Sequence, residues 1–164
     1  MELKDLLPGI IGSFVGVMGW LLVGLYIQRR QFVRQARNAA KAVYFELDVN
    51  RMAIAVAQDH GSFTPLNRSS FERLLPELAT LLSAADLKSV VGAYMAHAGY
   101  TQLSENAAVP APIRQRALAE VLKAQDAALA TLAACAFSQR EAHLIRDSAS
   151  DAQRKADELR RVAS

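Results

Sequence analysis

Hydrophobic positions follow three different patterns along the chain, and each predicts a different kind of element. From Leu6 to Gln28 there are 23 consecutive uncharged residues, with Ser13 the one polar side chain between Ile10 and Ile27. From Phe32 onward apolar residues recur every three or four positions, the spacing of amphipathic helices with one buried face. From Ser148 the sequence turns charged, with Asp151, Arg154, Lys155, Asp157, Glu158, Arg160 and Arg161 and little apolar content beyond alanine, Leu159 and Val162.

The first pattern predicts a transmembrane helix. As a helix the 23 residues extend about 34 Å, enough for a hydrocarbon core of about 30 Å. Pro8 suits the first turn, where a missing N–H costs nothing. The Ser13 hydroxyl can return its hydrogen bond to the preceding turn. A cleaved secretory signal carries a basic stretch before its apolar run and a small-x-small site after it. Here Glu2, Lys4 and Asp5 precede the run and Tyr26-Ile27-Gln28-Arg29-Arg30 end it, so an uncleaved anchor over residues 1–28 is expected. Arg29, Arg30, Arg34, Arg37 and Lys41 then appear with no acidic residue among them, whereas the first five residues sum to −1. The positive-inside rule puts the amino terminus outside and the bulk of the chain in the cytoplasm. The five cations would face anionic lipid headgroups, each contributing about 1 kcal/mol near the surface.

Residue size around this helix carries a further expectation. Gly9, Gly12, Gly16 and Gly19 are spaced 3, 4 and 3, which confines them to an arc of about 80°. Ser13 and Trp20 flank the arc, and the opposite face holds Ile10, Ile11, Phe14, Val15, Met18, Leu21, Leu22 and Leu25. Helices in hydrocarbon associate by close packing, so this seam is suited to a transmembrane helix of another membrane protein or of a second copy. Trp20 falls near the middle of the run, where its indole N–H favours an acceptor on a neighbour.

The second pattern predicts helices. No turn signal lies between the anchor and Phe32, so the first helix should continue to about Gln58 and stop at Gly61. Its apolar face is Phe32, Ala36, Ala39, Val43, Leu47, Ile54 and Ala57, with Asn50 in the same series. A polar residue on such a seam can fix register, with Glu46 four residues earlier as a hydrogen-bonding neighbour, or it can support the nearby loop. Glu46, Asp48, Asn50 and Arg51 form the densest polar cluster, without a nucleophile. Residues 60–69 read as a loop, and Ser69 and Glu72 have capping-box spacing. Pro76 predicts a kink or restart between Leu75 and Glu77. Ser83 and Asp86 repeat the capping-box spacing and open a helix whose core face is Leu87, Val90, Val91, Tyr94, Ala98 and Thr101, with His97 and Tyr100 nearby. Asn106 to Pro112 reads as a linker. From Ile113 a helix of about nine turns is expected, with Ile113, Ala117, Leu118, Val121, Leu122, Leu129, Leu132, Ala136 and Ile145 inward.

Composition agrees with this reading. Hydrophobic residues are 52% and aromatic residues 7% of the chain, and alanine fills 30 positions, a mix that favours helix over strand. The expected fold is therefore all-α, with the anchor over 1–28, an antiparallel cytoplasmic helical bundle over 29–147 and a charged tail over 148–164.

The candidate chemistry is sparse. One cysteine, Cys135, excludes an internal disulfide and any multi-cysteine metal site. His60, His97 and His143 are scattered, so neither a metal nor a cofactor is expected. No Gly-Lys-Ser or Gly-Lys-Thr occurs, which excludes the common phosphate loop. The net charge of +3 is concentrated where membrane topology already calls for it, and stacking aromatics are missing, so no nucleic-acid partner is expected. The expectation is a non-catalytic, single-pass accessory subunit that packs against and stabilises a larger membrane complex, whether respiratory, photosynthetic, secretory or transporting. The alternative is a self-associating, membrane-anchored signalling or effector module with a cytoplasmic partner-binding bundle.

Overall fold

A computed structural model describes residues 3–106 and 108–145, with side chains described from Gly12 onward. The described chain is helical with no strand: α1 (Leu3–His60), α2 (Ser69–Leu81), α3 (Ala84–Glu105), α4 (Ala111–Ala136) and α5 (residues 139–145). The charged tail from Ser148 lies outside the described residues.

α1 is one continuous helix of 58 residues, about 87 Å long. Gly61 ends it in the left-handed region at φ +68, donating its N–H to the Ala57 carbonyl at 2.9 Å, a conformation that favours glycine because it has no Cβ. The two ends of α1 have different surroundings. Every residue from Gly12 to Gln35 is exposed, whereas Ala36, Ala39, Ala40, Val43, Leu47, Ile54 and Ala57 are buried under the other helices. Phe32, placed on the core face by its spacing, lies beyond the bundle and is 55% exposed.

The bundle packs around the second half of α1. Ala40, Val43 and Leu47 share one cluster with Val90, Ala93 and Tyr94 of α3 and Ala128, Leu129 and Leu132 of α4. Ile54 and Ala57 share a second with Tyr100, Leu118 and Val121. High numbers on α1 thus meet low numbers on α4, so these helices are antiparallel, and α3 is parallel to α1. Full burial of a side chain such as Leu47, Leu118 or Leu132 stabilises the bundle by about 1.5–3 kcal/mol each.

Several boundaries differ from the sequence expectation for identifiable reasons. α2 runs unbroken through Pro76. Pro76 and Glu72 are both exposed, so the carbonyl that loses its helical partner is open to water. The long helix expected from Ile113 to Ile145 begins at Ala111 and ends at Ala136. Phe137 turns extended (φ −105, ψ 142) and sets its ring edge-on against Tyr44 and Phe45, at 5.0 and 6.1 Å. Ser138 and Glu141 then make reciprocal contacts, Ser138 N–H to Glu141 Oε2 at 2.8 Å and Glu141 N–H to Ser138 Oγ at 3.4 Å, a capping box that opens α5. On α3 the buried face is Val90, Ala93, Tyr94, His97 and Tyr100, and Ala98 and Thr101 are exposed. Ile113 is 60% exposed.

Among the described residues, no helix is long and apolar enough to cross a membrane. The side chains of Leu6 to Ile11, the first part of the uncharged run, lie outside the described residues. The part from Gly12 to Ile27 is 16 residues, about 24 Å as a helix, against a hydrocarbon core of about 30 Å.

Candidate functional site

Two regions carry the polar and surface chemistry, a buried polar layer inside the bundle and the bare end of α1.

The buried layer starts at Glu46, 7% exposed on α1. Its Oε2 accepts from Ser70 N–H at 2.7 Å and Ser69 Oγ at 3.4 Å. Its Oε1 accepts from Phe71 N–H at 3.2 Å and the Tyr94 hydroxyl at 2.7 Å. Glu46 thus supplies the cap of α2 from another helix. The Ser69–Glu72 capping box does not form, and the residue before the helix, Arg68, makes no side-chain cap. Burial alone would raise the Glu46 pKa, but the hydrogen bonds from Tyr94, Ser70 and Phe71 outweigh it and hold the carboxyl below its ordinary value. Burial and the bond to Glu46 push the Tyr94 phenol upward. Tyr94 also stacks on Phe71, with centroids 4.1 Å apart, and meets the His97 ring edge at 5.0 Å.

His97 continues the layer to α4. Gln125 Nε2 donates to the Ala93 carbonyl at 3.1 Å and lies 2.9 Å from His97 Nε2. With one amide hydrogen on each, His97 Nε2 is the acceptor and the ring proton belongs on Nδ1. Burial, then the positive charge of Arg68, lowers the His97 pKa to about 4, so the ring is neutral near pH 7. Gln125 is missed by a reading of the sequence, although it stands between Leu122 and Leu129 in the inward series and is fully buried.

Asn50, 1% exposed, works as a loop clamp. Its Nδ2 donates to the Asn67 carbonyl at 2.7 Å and its Oδ1 accepts from Asn67 N–H at 2.8 Å. Asn67 Oδ1 accepts from Ser69 N–H at 3.1 Å. The Tyr100 hydroxyl secures the other end of the loop, with Thr64 N–H and Thr64 carbonyl each at 3.0 Å. Asn50 therefore faces its own loop, and these contacts replace the register pairing with Glu46 that its spacing allows. Arg51 reaches Asp126 at 2.5 Å on the surface.

On the bare end of α1, Gly12, Ser13, Gly16, Gly19 and Trp20 are exposed, Trp20 to 77%. A Cβ built at Gly12, Gly16 or Gly19 meets nothing within 4 Å, so no described side chain packs against these three glycines. Gly9 lies outside the described side chains. Arg29, Arg30, Arg34 and Arg37 are exposed, and none has an ion pair with a described residue. Lys41 differs: it donates to Glu141 Oε1 at 2.6 Å and its ammonium is 5.3 Å from the Phe137 ring centre. That bond, together with those from Ser138, lowers the Glu141 pKa to about 2.

A second exposed stripe, which the sequence analysis does not single out, lies further along the same helix: Phe45, Val49, Met52 and Val56, each 45–57% exposed. Their spacing of 4, 3 and 4 is the signal that could have found them. An open cleft of about 600 Å³ between α3 and α4 is lined by Met95, Gly99, Leu103, Glu120 and Val121, with Glu120 its one titratable group. Burial, with Asp86 nearby, raises the Cys135 pKa, the opposite of what a nucleophilic thiol needs. Among the described residues, no group of three His, Cys, Asp or Glu could hold a metal ion. Compared with family models, with curated proteins and with solved structures, the chain matches none.

Proposed function

We propose that this chain is a non-catalytic, single-pass accessory subunit of a larger membrane complex. Residues 6–28 of α1 cross the bilayer, the amino terminus is outside, and the bundle stands on the cytoplasmic side. The observation that carries this reading is the bare end of α1. From Phe14 to Ile27 eleven large apolar side chains are 43–77% exposed, on all sides of the helix. That is on the order of 1,000 Å² of apolar surface, where a soluble monomer's largest patch is a few hundred. At about 25 cal/mol per Å² its exposure to water would cost about 25 kcal/mol. A helix apolar all round belongs in a protein core or in lipid, and the arginines after it mark its cytoplasmic end. Within the membrane the glycine seam meets a partner helix, and the bundle covers the partner's cytoplasmic face.

The Phe45–Val49–Met52–Val56 stripe favours a second reading, a self-associating module in which copies pair along α1. The mass of the particle extracted from its native membrane in mild detergent, with identification of everything that travels with it, separates the two. Stoichiometric co-migration with a larger assembly supports the subunit reading. A particle of this chain alone overturns it in favour of self-association.

A further inference from the structure

The four arginines after the apolar run point to a more specific ligand than a charged surface. Of the five cations there, Lys41 is neutralised by Glu141, and the other four have no carboxylate among the described residues. Arg30 and Arg34 stand at i,i+4, and Arg34 and Arg37 at i,i+3, arrangements in which like charges weaken a helix. Yet they lie in the middle of the unbroken α1. All four are arginine, whose planar fork matches two phosphate oxygens at once, where lysine is a point charge. Tyr26, Arg29, Arg30, Val33, Arg34 and Arg37 line a shallow cleft of about 470 Å³ along the helix. The Arg30 guanidinium is 5.4 Å from the Tyr26 ring centre, a cation–π contact that fixes its place at the edge of the apolar run.

The arginines fall on two levels. Arg29 and Arg30 adjoin the apolar run, and Arg34 and Arg37 lie about 6–10 Å further along the axis than Arg30. Tyr26, Arg30, Val33 and Arg37 share one face within an arc of about 60°, with Arg29 and Arg34 on its flanks. We propose that this face binds a membrane lipid bearing two phosphates, one held at Arg29 and Arg30 and the other at Arg34 and Arg37, with Tyr26 against its apolar part and Val33 between the two levels. A lipid with a single phosphate satisfies one level only. The proposal rests on the membrane reading, because the lipid reaches this face only if the apolar run is in the bilayer.

The test uses the full chain in mild detergent, with bound lipid counted by native mass spectrometry. Cardiolipin, which has two phosphates, is compared with phosphatidylglycerol, which has one, at equal total phosphate. The second level adds two arginine–phosphate contacts, so cardiolipin should be retained about thirtyfold better. Replacing Arg34→Gln and Arg37→Gln together should reduce that preference to none. Replacing all four arginines with lysine should retain binding and weaken the preference, because an ammonium does not hold two phosphate oxygens at once. Equal retention of the two lipids, or an undiminished preference in the lysine variant, overturns the site. Displacement of cardiolipin by inorganic pyrophosphate at equal concentration assigns the site to a soluble diphosphate and overturns the lipid. In parallel, the chain is mixed with phosphatidylcholine vesicles containing either lipid. Failure to insert into any of them overturns the anchor, whereas insertion with equal retention overturns only the two-phosphate site.

Discussion

Glu46→Gln should destabilise the bundle out of proportion to the change of one atom. Both carboxylate oxygens are acceptors: Oε2 for Ser70 N–H at 2.7 Å, and Oε1 for Phe71 N–H at 3.2 Å and the Tyr94 hydroxyl at 2.7 Å. A glutamine has one acceptor oxygen and one NH₂ group, so in either orientation the NH₂ confronts a backbone N–H of α2. Hydrogen bonds to a charged partner contribute about 1.5–3 kcal/mol each, and a buried donor left unpaired costs about 1–3 kcal/mol. The expected loss is about 3 kcal/mol, which for a chain of this size lowers Tm by about 6–12 °C. The pH dependence gives an independent check. The Glu46 pKa is lowered from its ordinary 4.5 in the folded protein, so its contribution is complete above that value and is lost as pH falls through the folded pKa. The gap between wild type and Glu46→Gln should therefore be widest at neutral pH and narrow in acid. Thermal unfolding of the full chain in detergent, with hydrogen exchange of the α2 amides, measures both. A variant within about 0.5 kcal/mol of wild type, with unchanged protection at Ser70 and Phe71, would refute the capping role.

Other consequences are equally direct. Asn50→Ala removes both bonds to Asn67 and should cost about 2 kcal/mol, with faster exchange concentrated in residues 61–68; unchanged exchange there would count against the clamp. His97, with its pKa lowered from 6.5 to about 4, is protonated first in the unfolded chain. Its contribution should fall away between those values as pH drops and level off below, and His97→Gln should lack that part of the acid response. NMR of the ring nitrogens should show a neutral ring protonated on Nδ1 at pH 7; an imidazolium there would contradict the layer. Gly12→Leu with Gly16→Leu should loosen the native assembly, because bulky side chains hold helices apart, and an unchanged particle mass would remove the seam.

The fold class was legible because apolar spacing and turn chemistry are local. The stop at Gly61 and the Ser83–Asp86 cap, with Asp86 N–H 3.2 Å from Ser83 Oγ, could be read from a few neighbouring residues. What escaped depends on distant partners. Glu46 caps a helix that starts 23 positions later, so the Ser69–Glu72 spacing, though correct in form, was overridden. The break at Phe137 is set by the rings of Tyr44 and Phe45, and nothing near Phe137 in sequence announces it. His97 and Gln125 meet at core positions across two helices, Gln125 Nε2 lying 2.9 Å from His97 Nε2, a pairing that hydrophobic periodicity does not register. On α1 the spacing identified an inward face correctly from Ala36 to Ala57, and failed at Phe32 because the bundle ends below it.

Trp20, the one tryptophan in the chain, reports directly on whether the bare end of α1 is in the bilayer. The full chain is reconstituted into phospholipid vesicles, and Trp20 emission is measured with aqueous iodide and with lipids brominated at graded depths. Burial in the bilayer gives blue-shifted emission, protection from iodide, and quenching strongest from bromines near the bilayer centre. Emission at the wavelength of water-exposed indole, quenched by iodide and indifferent to brominated lipid, would contradict it.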